Sequence, residues 1–210
     1  MPVSTTLVFA GDSITDSGRD RDDSTSLGDG YVALISRAVG DDATVVNKGI
    51  GGDRAVDLAA RWDDVLATQP DVLTVYIGVN DMWRRFDNDD PTSAEDFEAT
   101  VAELLEAARE AGVDRFVLVE PFFVPVSEGQ AAWLEDLDPK RAAIRRLAER
   151  FEATLVPLHD SVGAAAAEHG AAAIVPDGVH PTAQGAALIA DAWLAAYAAA
   201  VPVGAARNGK

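Results

Sequence analysis

Apolar residues fall into short, nearly continuous runs separated by stretches with three-to-four-residue spacing. The runs are Leu7–Ala10, Ala43–Val46, Val72–Ile77, Arg115–Val119 and Thr154–Val156, each bounded by Gly, Pro, Asp or Asn. Short apolar runs bounded by turn residues read as buried strands. Between them, helical spacing predicts helices over Tyr31–Val39, Ala55–Ala67, Ala94–Ala111, Pro139–Phe151 and Ser161–His169, with a last one from Thr182 to Ala200. Strands that alternate with helices imply parallel neighbours joined by helical crossovers, because a parallel pair cannot be closed by a hairpin. The expected fold class is therefore α/β, a three-layer sandwich around a five-stranded parallel sheet.

In open α/β sheets ligands bind beyond the carboxyl ends of the strands. Those positions hold Gly11-Asp12-Ser13, Asn47 to Asp53, Gly78-Val79-Asn80-Asp81 and Glu120-Pro121-Phe122-Phe123, and Pro176 to Pro181 follows the last strand and its helix. A serine hydroxyl needs a neighbouring base, and the base needs a third group to hold its tautomer. His180 stands three residues after Asp177 in a Gly- and Pro-shaped loop, so one local turn can aim the carboxylate at the imidazole. His159, beside Asp160, is the other candidate base, and His169 reads as a helix C-terminal residue. Taken alone, Gly-Asp-Ser is also a common helix cap, Gly51-Gly52 a permissive turn and Asn80-Asp81 an Asx-turn.

The ordered set Gly11-Asp12-Ser13-Ile14-Thr15, Asn47 to Gly52, Gly78 to Asp81 and Asp177 to Pro181 resembles the four conserved blocks of the SGNH hydrolases, the GDSL esterase and lipase family. One departure is isoleucine after Ser13, where leucine is common in the family. The resemblance implies a flavodoxin-like sheet, Ser13 as nucleophile, His180 as base and Asp177 as its orienting acid. It further implies an oxyanion hole from the backbone N–H groups of Ser13 and Gly52 and the side-chain amide of Asn80. The chemistry agrees, since an acyl transfer passes through a tetrahedral oxyanion that donors fixed on a rigid sheet stabilise.

Met82-Trp83-Arg84-Arg85-Phe86-Asp87 is an aromatic and basic cluster in an acidic chain, and it is similar to the same segment in carbohydrate acetyl esterases of the family, such as acetylxylan esterases. Asp12, Trp83 and Arg84 are the expected substrate-binding residues. A bulky Trp83 near the nucleophile would restrict the acyl pocket to a small group, with sugar rings packing on the aromatic face. The competing reading makes Trp83 and Phe86 core or interface residues and pairs Arg84 and Arg85 with nearby acids. Phe122 and Phe123 are expected to pack beneath the cleft, and Trp133 falls in a long segment of the kind that forms lids or interfaces. The expected activity is hydrolysis of a small-molecule or carbohydrate ester, most simply an acetyl ester. The alternatives are a lysophospholipase or thioesterase of the same family and an inactive sugar-binding module.

The 210 residues carry 35 acidic and 17 basic side chains, a net charge of −18 that repels phosphate backbones and anionic lipid. Nucleic acid and membranes are therefore not expected partners, whereas a homo-oligomer is compatible with the sequence. No cysteine is present, which removes disulfides and a thiol nucleophile. The acid-rich stretch Asp16–Asp29 fails as an EF-hand: a loop starting at Asp20 has Thr25 where glycine is required and Tyr31 where a bidentate glutamate is required. No metal and no cofactor are expected. The start of the chain lacks a basic segment followed by an apolar one, giving a cytoplasmic expectation that secretion after processing would also satisfy. Residues 1–203 are expected to form one domain and 204–210 a flexible tail.

Overall fold

The computed structural model describes residues 5–200; the expected tail at 204–210 lies outside them. The described strands are β1 (Thr5–Gly11), β2 (Ala43–Gly49), β3 (Val72–Tyr76), β4 (Arg115–Val119) and β5 (Thr154–Val156). They form one sheet in the order β2-β1-β3-β4-β5, every pair parallel. This is the flavodoxin-like order. The chain leaves β1 for one flank of the sheet and returns to the other at β3, so a crevice opens between the ends of β1 and β3.

Alternate strand residues enter two cores. Leu7 and Phe9 of β1, with Val117 and Val119 of β4, pack against α2 (Tyr31–Val39), α8 (His159–His169) and α10 (Ala183–Ala200). Val8 and Ala10, with Leu73 and Val75 of β3, pack against α3 (Ala55–Ala59), α4 (Trp62–Leu66), α6 (Ala94–Glu110) and α7 (Leu134–Arg150). Both faces of the sheet are thus buried, which is why its strands read as continuous apolar runs. The two indole N–H groups inside are satisfied: Trp193 donates to Thr74 Oγ1 at 3.1 Å and Trp62 to the Leu104 carbonyl at 2.9 Å. No helix among the described residues is long and apolar enough to cross a membrane.

Several boundaries differ from those the periodicity predicts. The helix expected over Ala55–Ala67 is two, α3 and α4, broken at Ala60-Arg61. There Arg61 turns inward to donate to the carbonyls of Lys48 and Gly11 and to the Asp53 carboxylate. α7 starts at Leu134, not at Pro139, and carries the proline inside it. The sacrificed N–H is offset by burial of Leu137 and by ion pairs from Asp136 to Arg85 and Lys140. α8 starts at His159, two residues earlier than the periodicity places it. Three further α-helices, α1 (Ser13–Asp16), α5 (Val79–Asp87) and α9 (Ala171–Ile174), and two short 3-10 helices at Gly40–Asp42 and Gln130–Trp133 complete the helices of the described residues.

Candidate active site

β1 ends at Gly11, where any side chain would collide: a Cβ there would lie 2.4 Å from the Tyr76 carbonyl and from Thr15 Oγ1. This close packing delivers Asp12 to the N-cap of α1, with its Oδ1 accepting from the Ile14 N–H at 3.0 Å. Ser13 is the first residue of the helix, so its own N–H lacks an intrahelical partner and its side chain points into the crevice. The sequence reading put Asp12 in contact with substrate, and the structure corrects it. Asp12 has no exposed surface, so its carboxylate serves the helix start rather than the cleft. Burial pushes this carboxyl up to about 7, with Asp81 and Asp53 adding repulsion and the Ile14 N–H acting the other way.

From the opposite side, the turn after α9 carries Asp177 and His180. Gly178 has φ +89°, and a Cβ on it would lie 2.3 Å from the Val124 carbonyl, so both conformation and space require glycine. Asp177 Oδ1 accepts from the N–H groups of Val179 (2.9 Å) and His180 (2.7 Å), which leaves Oδ2 for the imidazole Nδ1 at 2.6 Å. Partial burial alone would raise the Asp177 carboxyl, but His180 and the two N–H groups outweigh it and hold it below the ordinary range. An ionised carboxylate only accepts, so His180 carries a proton on Nδ1, and in the neutral imidazole that leaves Nε2 bare. Ser13 Oγ lies 2.9 Å from that nitrogen and donates to it.

The third wall is α5, which follows β3 through Gly78 (φ +125°). Asn80 is buried at 8% exposure and donates one amide hydrogen to the Asp53 carbonyl at 3.0 Å, which fixes the amide plane and leaves its second hydrogen free. Gly52 sits in the turn Ile50–Asp53, closed by the Asp53 N–H to Ile50 carbonyl bond at 3.2 Å, with φ +91°. Ser13, Gly51, Gly52, Asn80, Trp83, Arg84, Asp87 and His180 line one cleft of about 320 Å³.

Of the residues expected at the site, the structure brings Ser13, Gly52, Asn80, Trp83, Arg84, Asp177 and His180 together and leaves Asp12 beneath it. His159, the other candidate base, stands at the start of α8, where its backbone N–H donates to Glu120 Oε2 at 3.4 Å, while Ser13 is paired with His180. Trp83 packs 6.2 Å from the His180 ring and 6.0 Å from Trp133, which is itself stacked between Phe86 (4.7 Å) and Phe123 (5.3 Å). The pairing reading holds for the arginines: Arg84 bonds Asp87 at 2.7 Å and Arg85 bonds Asp136 at 2.9 Å. Arg84 nonetheless keeps its place in the cleft wall, its Nη2 close to Gly52.

Sequence reasoning missed three supporting residues: Arg61, which ties the ends of β1 and β2 to Asp53; Asp81, which accepts from the Ala55 N–H at 3.1 Å; and Asp16. Burial pushes Asp81 up to about 6, against the Ala55 N–H and Lys140. Its place beside Asn80 in the third block was the only signal for it. Among the described residues, no group of three or more His, Asp or Glu side chains is placed to hold a metal ion.

An open β1/β3 crevice holding a Ser-His-Asp relay on a flavodoxin-like sheet agrees with the family comparison, in which the GDSL-like Lipase/Acylhydrolase family matches residues 9–188. The chain belongs to this family and is a carboxylic ester hydrolase. It is 33% identical to an acetylxylan esterase of Geobacillus stearothermophilus over 202 residues, covering 90% of this chain and 91% of that one. Solved structures agree. An α/β hydrolase, LAE5, from the metagenome of Lake Arreo superposes with a TM-score of 0.84 at 32% identity, over 93% of this chain and 97% of its own. The Geobacillus esterase Axe2, solved as a catalytic mutant with serine replaced by alanine, gives a TM-score of 0.83 at 31% identity, over 93% and 96%. Further catalytic mutants of that enzyme replace an aspartate and a histidine three positions apart.

Proposed function

We propose that the protein is a small-acyl esterase that removes acetyl groups from a carbohydrate through an acyl-enzyme on Ser13. His180 Nε2 takes the Ser13 proton as Oγ attacks the ester carbonyl, and the imidazolium that forms is stabilised by the ionised Asp177. The N–H groups of Ser13 and Gly52 and the free amide hydrogen of Asn80 receive the developing oxyanion. His180 then protonates the leaving sugar oxygen, and water attacks the acyl-enzyme by the same route in reverse.

The observation that carries this reading is the continuous relay from Ser13 Oγ to His180 at 2.9 Å and on to Asp177 at 2.6 Å, facing Gly52 and Asn80 across one cleft. The Geobacillus catalytic mutants, in the same three residue types with the same Asp-to-His spacing, support it. Small-acyl preference follows from the bulk of Trp83 beside His180. A carbohydrate leaving group follows from the aromatic and Arg84 surface at the cleft rim and from the likeness to an acetylxylan esterase.

A series of p-nitrophenyl esters from acetate to octanoate tests it. kcat/KM is expected to fall steeply beyond the shortest acyl groups. A flat or rising series would favour the lysophospholipase or thioesterase reading.

A further inference from the structure

The turn that presents the Gly52 N–H is intrinsically able to point it elsewhere. Ile50–Asp53 is a four-residue turn with glycine at both central positions and φ +91° at the third. The backbone of such a turn can shift as a whole relative to the helix that carries Ser13. Two adjacent glycines place no side-chain barrier in the way. Something outside the turn must therefore hold it.

That hold comes from the last residue of α1. Asp16 Oδ2 accepts the Gly51 N–H at 3.0 Å and also accepts from Arg21. Asp16 Oδ1 accepts from Arg19 Nε at 3.1 Å, and Arg19 Nη2 donates to the Gly49 carbonyl at 2.6 Å. Gly49 rests directly on the helix, since a Cβ there would lie 2.4 Å from the Asp16 N–H nitrogen. Burial by itself would raise the Asp16 carboxyl, but Arg21 and the Gly51 N–H outweigh burial and hold it below the ordinary range, so it remains a charged acceptor. One carboxylate three residues after Ser13 thus grips the backbone just before Gly52.

We propose that Asp16 is a positioning residue for the ester hydrolysis: by tying the Ile50–Asp53 turn to the helix that begins at Ser13, it keeps the Gly52 N–H in register with the nucleophile. This rests on the reading of Ser13 and Gly52 given above. An oxyanion donor works only when held within about 0.5 Å of its productive place. Removing such a donor costs 100- to 1,000-fold in kcat, and a donor that is loosened rather than lost is expected to cost about 10- to 100-fold.

The test compares Asp16→Ala, Asp16→Asn and Ser13→Ala on p-nitrophenyl acetate, with a thermal melt of each to confirm folding at the assay temperature. Asp16→Ala is expected to lower kcat by about 10- to 100-fold with KM within about threefold, because the turn acts on the transition state rather than on the bound ester. Asp16→Asn keeps an oxygen for the Gly51 N–H and is expected to recover kcat to within about threefold of the unsubstituted enzyme. Should Asp16→Ala melt below the assay temperature, Asp16→Thr, whose hydroxyl is too short to reach Gly51, takes its place with the same expectation. An alanine variant within twofold in kcat, a change confined to KM, or an equal kcat loss in the alanine and asparagine variants would each overturn the proposal. Activity surviving in Ser13→Ala would instead overturn the reading of the site itself.

Discussion

At the residue scale the site separates two aspartates with opposite duties. Asp177 accepts three hydrogen bonds and stays ionised, so it can stabilise an imidazolium at His180. Asp12, one residue before the nucleophile, is fully buried and pushed up to about 7, so it is largely neutral over much of the range in which Asp177 is charged. The shift also has a stability consequence. A carboxyl whose pKa is raised on folding contributes stability below its unfolded value, and that stability is lost as pH climbs through the folded value. For Asp12 the window runs from 3.8 to about 7, a loss of order 4 kcal/mol at 1.36 kcal/mol per unit. Asp12→Asn, which keeps the acceptor for the Ile14 N–H, should melt several degrees above the unsubstituted protein at pH 8 and close to it at pH 4. A difference that does not grow with pH would contradict the assignment. Asn80→Ala should lower kcat by about 100- to 1,000-fold with little change in KM, measured on p-nitrophenyl acetate.

At the scale of elements, the strands were legible because both faces of the sheet are buried, and the loops after β1, β2 and β3 were legible because glycine, asparagine and aspartate cluster there. α5 was not. Asn80-Asp81 reads locally as a turn or cap, yet Val79, Met82, Trp83 and Phe86 have the i, i+3, i+4, i+7 spacing of a helix face, and Val79 and Met82 are fully buried. The break between α3 and α4 was hidden for a different reason: its cause is Arg61 reaching three groups brought close only by the tertiary fold. Asp12 misled because adjacency in sequence to a nucleophile says nothing about which way a side chain turns at a helix start. The aromatic stack Phe86, Trp133, Phe123 couples the segment before α7 to α5 and so to Trp83 in the cleft wall. Trp133→Ala should therefore destabilise the fold by about 2 kcal/mol, less than a fully buried tryptophan because Trp133 is only partly covered. It should also relax the acyl-length preference by freeing Trp83. An unchanged melt and an unchanged ester series would contradict this coupling.

At the scale of the whole molecule, the sheet order alone gathers chemistry from distant parts of the sequence. Ser13 and His180 are 167 residues apart, and they meet because β1 is an interior strand whose carboxyl end opens at the point where the strand order reverses. The same molecule carries a net charge of −18, whose self-repulsion opposes compaction and is screened by salt over about 10 Å at 0.1 M. Raising NaCl from about 20 mM to about 500 mM should accordingly raise the melting temperature, whereas a flat or falling response would mean that the internal ion pairs outweigh the net repulsion. The claim on which everything else depends is that the crevice makes Ser13 a nucleophile. It is tested most directly by reacting the protein with a fluorophosphonate and mapping the adduct by mass spectrometry. The account predicts one adduct, on Ser13, formed at a rate that collapses in His180→Ala; an adduct on another serine, or full esterase activity with Ser13 unlabelled, would contradict it.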